Sequence, residues 1–163
     1  MVARVRALGE DLDSVGLEAA LLWASNKRAE AAGAYDVFRD KQAQNKQKLD
    51  TQIASARFLF SRNDLEGASQ RLDAARAYQD PKALEADKAI TDLFIFSGVP
   101  ARAVDALRRI LEAGGDTPDF QFRKRLVEAL ISLGKFQEAE TELAPLLKVA
   151  QPDHISLLLN ASI

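Results

Sequence analysis

Few side chains in this sequence could carry out catalysis. It has no Cys and a single His, His154, so thiolate nucleophiles, zinc–thiolate sites and multi-histidine metal sites lack their ligands. His154 could transfer a proton, but no second catalytic group is predicted near it. A glycine-rich phosphate loop and a nucleophile signature are also missing. We therefore expect a protein that is not an enzyme and that uses no cofactor and no metal.

The charged clusters of the second half do not indicate a chemical site either. Glu138, Glu140 and Glu142 recur at every second residue, a spacing that distributes them around a helix and does not pair two carboxylates. The adjacent pair Arg108 and Arg109 points in directions about 100° apart, and the same holds within the run at residues 123–125, so neither makes one phosphate-binding patch. With 22 Lys and Arg against 24 Asp and Glu, the net charge is −2, and nucleic acid is not an expected partner.

No segment of the sequence is typical of a secretion signal or a membrane span. The most apolar windows, residues 17–24 and 93–99, are much shorter than the roughly 20 residues that cross a bilayer. The sequence as given therefore favours the cytoplasm. The periplasm is the alternative, if the segment comes from a longer exported protein.

Three short segments repeat at a nearly constant interval and organise the chain. They begin at Asn63, Gly98 and Gly134, which lie 35 and 36 residues apart, and each has an apolar residue or Pro at its third position and Ala at its sixth. Apolar residues precede and follow each segment at helical spacing, which predicts a helix, a tight turn and an antiparallel helix in each copy. The flanking apolar positions include Leu59, Phe94 and Leu130 before the turns, and Leu72, Leu107 and Leu143 after them.

The small residue and the helix-terminal residues agree with this division. Ala at the sixth position is expected where two helices joined by a short turn lie about 8 to 10 Å apart. Pro100 suits the first turn of a helix, and Gly114 with Gly115 is expected to end that helix. Pro145 falls inside the last predicted helix, where it removes one backbone hydrogen bond.

This arrangement resembles the tetratricopeptide repeat family, whose unit of about 34 residues is a helix–turn–helix with a small Ala after the turn. The resemblance covers the chain between Leu49 and Asp153, and it is best in the segment that begins at Gly134. It implies an all-α fold, a right-handed α-solenoid of antiparallel helix hairpins. The three implied repeats span residues 49–82, 83–117 and 118–153.

The resemblance also implies a binding surface. In this family the first helix of every unit lines a concave groove, and three residues of each first helix face that groove. The last of the three is apolar in this sequence and would anchor an apolar side chain of an extended or helical peptide. The alternative is that these apolar residues are covered by neighbouring helices. The residues carried over are Ile53, Arg57 and Phe60, then Lys88, Asp92 and Ile95, then Lys124, Glu128 and Ile131.

The two ends of the chain are less regular. We expect N-terminal helices over residues 1–48, as a degenerate repeat hairpin whose first helix carries Trp23 in the core and ends at Gly33. Residues 41–48 have too few apolar side chains to be much buried. Residues 154–163 are expected to form a capping helix or the first helix of a further repeat. Its apolar face, a candidate self-association surface, consists of Ile155, Leu158, Leu159 and Ile163.

We interpret the sequence as a non-catalytic protein–protein interaction scaffold that binds a peptide or protein segment in a concave groove. The alternative is a structural module that forms homo-oligomers or continues into a longer repeat protein through its exposed ends. The family is common in bacterial export and secretion assemblies, so the resemblance implies such a setting. Neither interpretation identifies the partner.

Overall fold

The computed structural model describes residues 11–95, 97–114 and 120–147, and within these ranges it contains eight α-helices and no strand. The all-α prediction is therefore confirmed for this part of the chain. The helices are α1 (Leu12–Ala24), α2 (Arg28–Lys41), α3 (Asn45–Ser61), α4 (Leu65–Ala75), α5 (Glu85–Phe94), α6 (Pro100–Ala113), α7 (Phe120–Ser132) and α8 (Phe136–Leu147).

The chain divides after Asp80 into two compact units. In the first unit α1 packs on α2, α2 on α3 and α3 on α4, and α1 also contacts α3. In the second unit α5 packs on α6, α6 on α7 and α7 on α8. Each unit is thus a pair of helix hairpins, in which the second helix of one hairpin packs against the first helix of the next.

Every hairpin bends at one residue in the left-handed backbone conformation, which Gly and Asn tolerate better than other residues. Where the bend is at Asn63, its N–H donates to the carbonyl of Phe60 at 2.9 Å, and the next N–H, of Asp64, donates to Leu59 at 3.0 Å. This Schellman pattern satisfies carbonyls that the end of a helix would otherwise leave unpaired. It recurs at two of the other bends. The four bend residues are Asn26, Asn63, Gly98 and Gly134, with φ angles of 61°, 61°, 78° and 71°.

The first hairpin is a fourth copy of the repeat, and its expected helix boundary at Gly33 is wrong. Gly33 lies inside α2, and the chain turns at Asn26 instead. The signal was present in the sequence, because Asn26 precedes Asn63 by 37 residues and Ala31 follows it at the same distance as the Ala of the other copies. A glycine inside a helix is unfavourable but tolerated, so it does not by itself end one.

The core of both units uses the same positions of the hairpin. The Ala that follows each bend has no exposed surface in any of the four copies, because the two helices approach most closely there. Large apolar side chains fill the space on either side of it. They are Leu22 and Tyr35, Leu59 and Leu72, Phe94 and Leu107, and Leu130 and Leu143, all buried around Ala31, Ala68, Ala103 and Ala139.

Several local expectations are confirmed. Pro100 is the first residue of α6, Gly114 is its C-cap, and Pro145 lies inside α8. Residues 41–48 are mostly exposed, with α2 ending at Lys41 and α3 beginning at Asn45. Gly115 lies outside the described residues.

The close approach at the repeated Ala predicts a size limit. Replacing Ala103 by Leu should lower the free energy of unfolding by about 1 to 3 kcal/mol, because the larger side chain forces two packed helices apart. The control is Ala101→Leu on the same helix, where the side chain is exposed and the change should stay within about 0.5 kcal/mol. Urea unfolding followed by circular dichroism measures both, and equal effects would contradict the close-approach argument.

The left-handed bend predicts a different response at Asn63. Asn63→Gly should preserve stability, whereas Asn63→Val should lower the free energy of unfolding by about 1 to 2 kcal/mol, because a β-branched residue resists this conformation. Urea midpoints of the two variants test this. If Val is tolerated as well as Gly, the left-handed bend is not a constraint at this position.

Candidate functional site

The predicted groove residues of the first unit lie on α3 with graded exposure. Arg57 is exposed, while Ile53 and Phe60 are half-buried. The first unit therefore presents one accessible cation between two partly covered apolar side chains.

In the second unit the predicted groove residues of the first hairpin have unequal exposure. Lys88 and Asp92 are exposed on α5, but Ile95, just after that helix, is buried at 8% exposure. The Asp92 carboxylate is paired with the Arg125 guanidinium of α7, with Oδ1 and Nη1 at 3.0 Å. Ile95 thus offers little surface to a partner, whereas this ion pair links the first helices of two successive hairpins.

The remaining groove residues of the second unit lie on α7. Lys124, Glu128 and Ile131 are all half-buried on this helix. Lys124 also has interactions of its own, so its ammonium group is not a free charge. Of the apolar residues that end the three triples, Phe60 and Ile131 therefore keep accessible surface and Ile95 does not; Ile53, at the start of the first triple, is also half-buried.

Charges that appeared to be independent surface residues form ion pairs between helices. Arg108 of α6 pairs with Glu138 of α8, and Arg123 of α7 pairs with Glu142 of α8. Lys135 donates to Glu138 at 3.1 Å, and the hydrogen bonds from Lys135 and then Arg108 lower the pKa of that carboxyl. Sequence spacing could not reveal the two arginine pairs, because hairpin packing brings their members together, whereas Lys135 and Glu138 are three residues apart in the chain.

The first unit contains a cleft of about 700 Å³ that the sequence analysis missed. It lies among α2, α3 and α4, and small residues of α2 and α4 leave room for it. Four arginines line it, an unusual concentration of positive charge in a chain of net charge −2. They are Arg28, Arg39, Arg62 and Arg71.

Two of these arginines are paired with a shared carboxylate. Asp36 of α2 accepts from Arg71 of α4, with Nη2 and Oδ2 at 2.8 Å, and from Arg39, with Nη1 and Oδ1 at 2.8 Å. Arg39 also pairs with Asp40. The hydrogen bond from Arg71 holds the pKa of Asp36 below its usual value of 3.8, and the two positive charges add to this effect. This network joins the second helices of the two hairpins.

The other two arginines lie over aromatic rings. The Arg28 guanidinium carbon lies 5.4 Å from the Trp23 ring centre, and that of Arg62 lies 5.4 Å from the Phe58 ring centre. Trp23 and Phe58 touch edge to face at 5.7 Å, so the four side chains form a continuous row. Trp23 packs against the core of the first unit, as expected, but it also lines the cleft. Trp23 and Arg28 lie on either side of the bend at Asn26, so a sequence analysis that missed this bend could not place them together.

Other predicted residues lie outside the described ranges. These are His154 and the apolar residues at the C-terminal end, Ile155, Leu158, Leu159 and Ile163. Within the described ranges, no group of three or more His, Cys, Asp or Glu side chains is arranged to hold a metal ion. In that same part of the chain no helix combines the length and the apolar character needed to cross a bilayer.

Comparisons with known proteins name no family. The chain matches no family model, and neither the curated proteins nor the solved structures contain a significant match.

The shared carboxylate predicts a pH-dependent stability. Asp36→Asn should lower the free energy of unfolding at pH 7 by about 1 to 2 kcal/mol, because it weakens charge-assisted bonds at a partly exposed site. Because the folded-state pKa of Asp36 is depressed, its contribution is complete above pH 3.8 and is lost as the pH falls through the folded-state value. Urea unfolding of both proteins from pH 7 to acid measures this.

The control is Asp50→Asn, which breaks an exposed pair with Lys46 on one helix and should cost less than about 0.5 kcal/mol. A difference between the native chain and the Asp36 variant that stayed constant through the acid range would contradict the role given to the Asp36 carboxylate.

Proposed function

We propose that this chain is a non-catalytic scaffold of tetratricopeptide-like hairpins that binds a peptide or protein segment along its first helices. Four copies of one hairpin, each with a left-handed bend and a buried Ala at the same offset, support the resemblance. In this proposal each two-hairpin unit is a segment of a right-handed α-solenoid, and the first helices supply the binding surface.

The binding mechanism in this proposal is burial of apolar surface with charges that set the register. Phe60 and Ile131 are the anchors, because each combines an apolar side chain with accessible surface. Arg57 on a first helix of the first unit and Lys88 on a first helix of the second are exposed and would select carboxylates on the partner. Asp92 already has a cationic neighbour, Arg125, so it contributes less to selecting the partner.

A selection from a random peptide display library tests this proposal. Bound peptides should share an apolar residue. Phe60→Ala should weaken binding of a peptide selected on the first unit by about tenfold, and Ile131→Ala that of a peptide selected on the second, as for central contact residues. Fluorescence anisotropy of the labelled peptide measures the affinities.

The matched control is Val37→Ala, an exposed apolar residue (61%) on α2, a second helix. Its affinity should equal that of the native chain, and urea unfolding should show that all three variants remain folded. Peptides that bind all three variants equally would rule out the first-helix surface. The alternative function, self-association, predicts a molecular mass that rises with concentration in light scattering.

A further inference from the structure

We propose that the cleft among α2, α3 and α4 is a second binding site, and that it takes an acidic peptide segment whose carboxylates contact Arg28 and Arg62. This goes beyond the scaffold function proposed above, because the cleft lies mainly between second helices and involves none of the predicted groove residues. Three features of the first unit support it: two exposed guanidinium groups that no described carboxylate pairs with, a glutamine amide that lines the cleft, and the size of the cleft.

Two arginines at this site have aromatic neighbours but no carboxylate partner. The guanidinium carbons of Arg28 and Arg62 each lie 5.4 Å from a ring centre, of Trp23 and Phe58 respectively, which attracts the positive charges. Each guanidinium has five N–H donors that can serve a carboxylate. Among the described residues no carboxylate is paired with Arg28 or Arg62, in contrast to Arg39 and Arg71 beside them.

The cleft also contains an amide side chain. Gln52 of α3 lines the cleft, and no described residue forms a hydrogen bond with its side-chain amide. The amide atoms are not among the fully buried polar atoms of the described residues that lack a partner, so they can meet a ligand at the surface of the cleft. An amide both donates and accepts, as a peptide group does.

The surrounding groups favour a peptide over phosphate. The amides of Gln52 and Asn63 line the cleft and match the donors and acceptors of a peptide backbone, whereas phosphate oxygens only accept. Gln70 also lines the cleft, with its Nε2 donating to Glu66 at 2.9 Å. A dense polyanion would also face the carboxylate of Asp64, which lines the cleft. A peptide alternates its carboxylates with neutral amides. The cleft volume of about 700 Å³ lies within the range of ligand pockets, about 300 to 1,000 Å³.

The test uses a capped oligoglutamate peptide and the full chain. Because Trp23 is the only Trp of the sequence, its emission should change in a saturable manner as the peptide is added, and added salt should weaken binding. Anisotropy of the labelled peptide should show affinity about tenfold lower for Arg28→Gln and for Arg62→Gln, the loss of one charge-assisted hydrogen bond. Both residues are exposed, so these variants should stay folded.

Matched controls separate this site from simple charge attraction. Arg109→Gln removes an exposed arginine of the second unit and should leave affinity unchanged, and a capped oligoglutamine of equal length should not bind. Gln52→Leu should weaken peptide binding without lowering the free energy of unfolding, because it removes an unpaired amide. Unchanged affinity in both arginine variants, equal binding of oligoglutamine, or displacement by inorganic phosphate at the peptide's own concentration would overturn the proposal.

The outcome is independent of the first-helix surface. Phe60→Ala and Ile131→Ala should bind oligoglutamate as the native chain does, since neither residue lines the cleft. Loss of oligoglutamate binding in those variants would also overturn the proposal, while failure of the cleft leaves the peptide-display test unaffected.

Discussion

The short bend between two antiparallel helices sets the geometry on which the described structure depends. A helix leaves its last carbonyls unpaired, and one left-handed residue lets the next two N–H groups turn back to satisfy them. The following helix then begins beside the first, so its next inward residue must be small. Asn63 and Ala68 illustrate this pairing of a bend with a buried Ala in one hairpin.

The same geometry explains how charged residues join successive hairpins. Second helices of neighbouring hairpins are connected by Asp36 with Arg71 in the first unit and by Arg108 with Glu138 in the second. First helices of the second unit are connected by Asp92 with Arg125. These pairs lie at partly exposed positions, where water screens them, so apolar burial supplies most of the stability. The ion pairs contribute orientation and specificity of packing.

The two proposed binding surfaces use different physical chemistry. The first-helix surface presents partly covered apolar side chains with charges beside them, which suits a segment that buries an apolar anchor. The cleft of the first unit presents guanidinium groups and side-chain amides, which suits carboxylates on a polar backbone. The small residues of α2 and α4 leave the space that the cleft occupies. In both proposals recognition depends on complementary shape and charge.

The sequence by itself determined the all-α class and the bends at Asn63, Gly98 and Gly134, because helical periodicity and turn preference are local properties. The N-terminal bend at Asn26 could also have been predicted from the sequence. The helix end was instead predicted at Gly33, because glycine commonly ends helices. Only the tertiary structure decided that Ile95 is buried and that residues far apart in the chain form one cleft. Such outcomes depend on the rotation of each helix about its axis relative to its neighbours. Periodicity predicts which face of a helix points inward, but it does not determine the exact rotation.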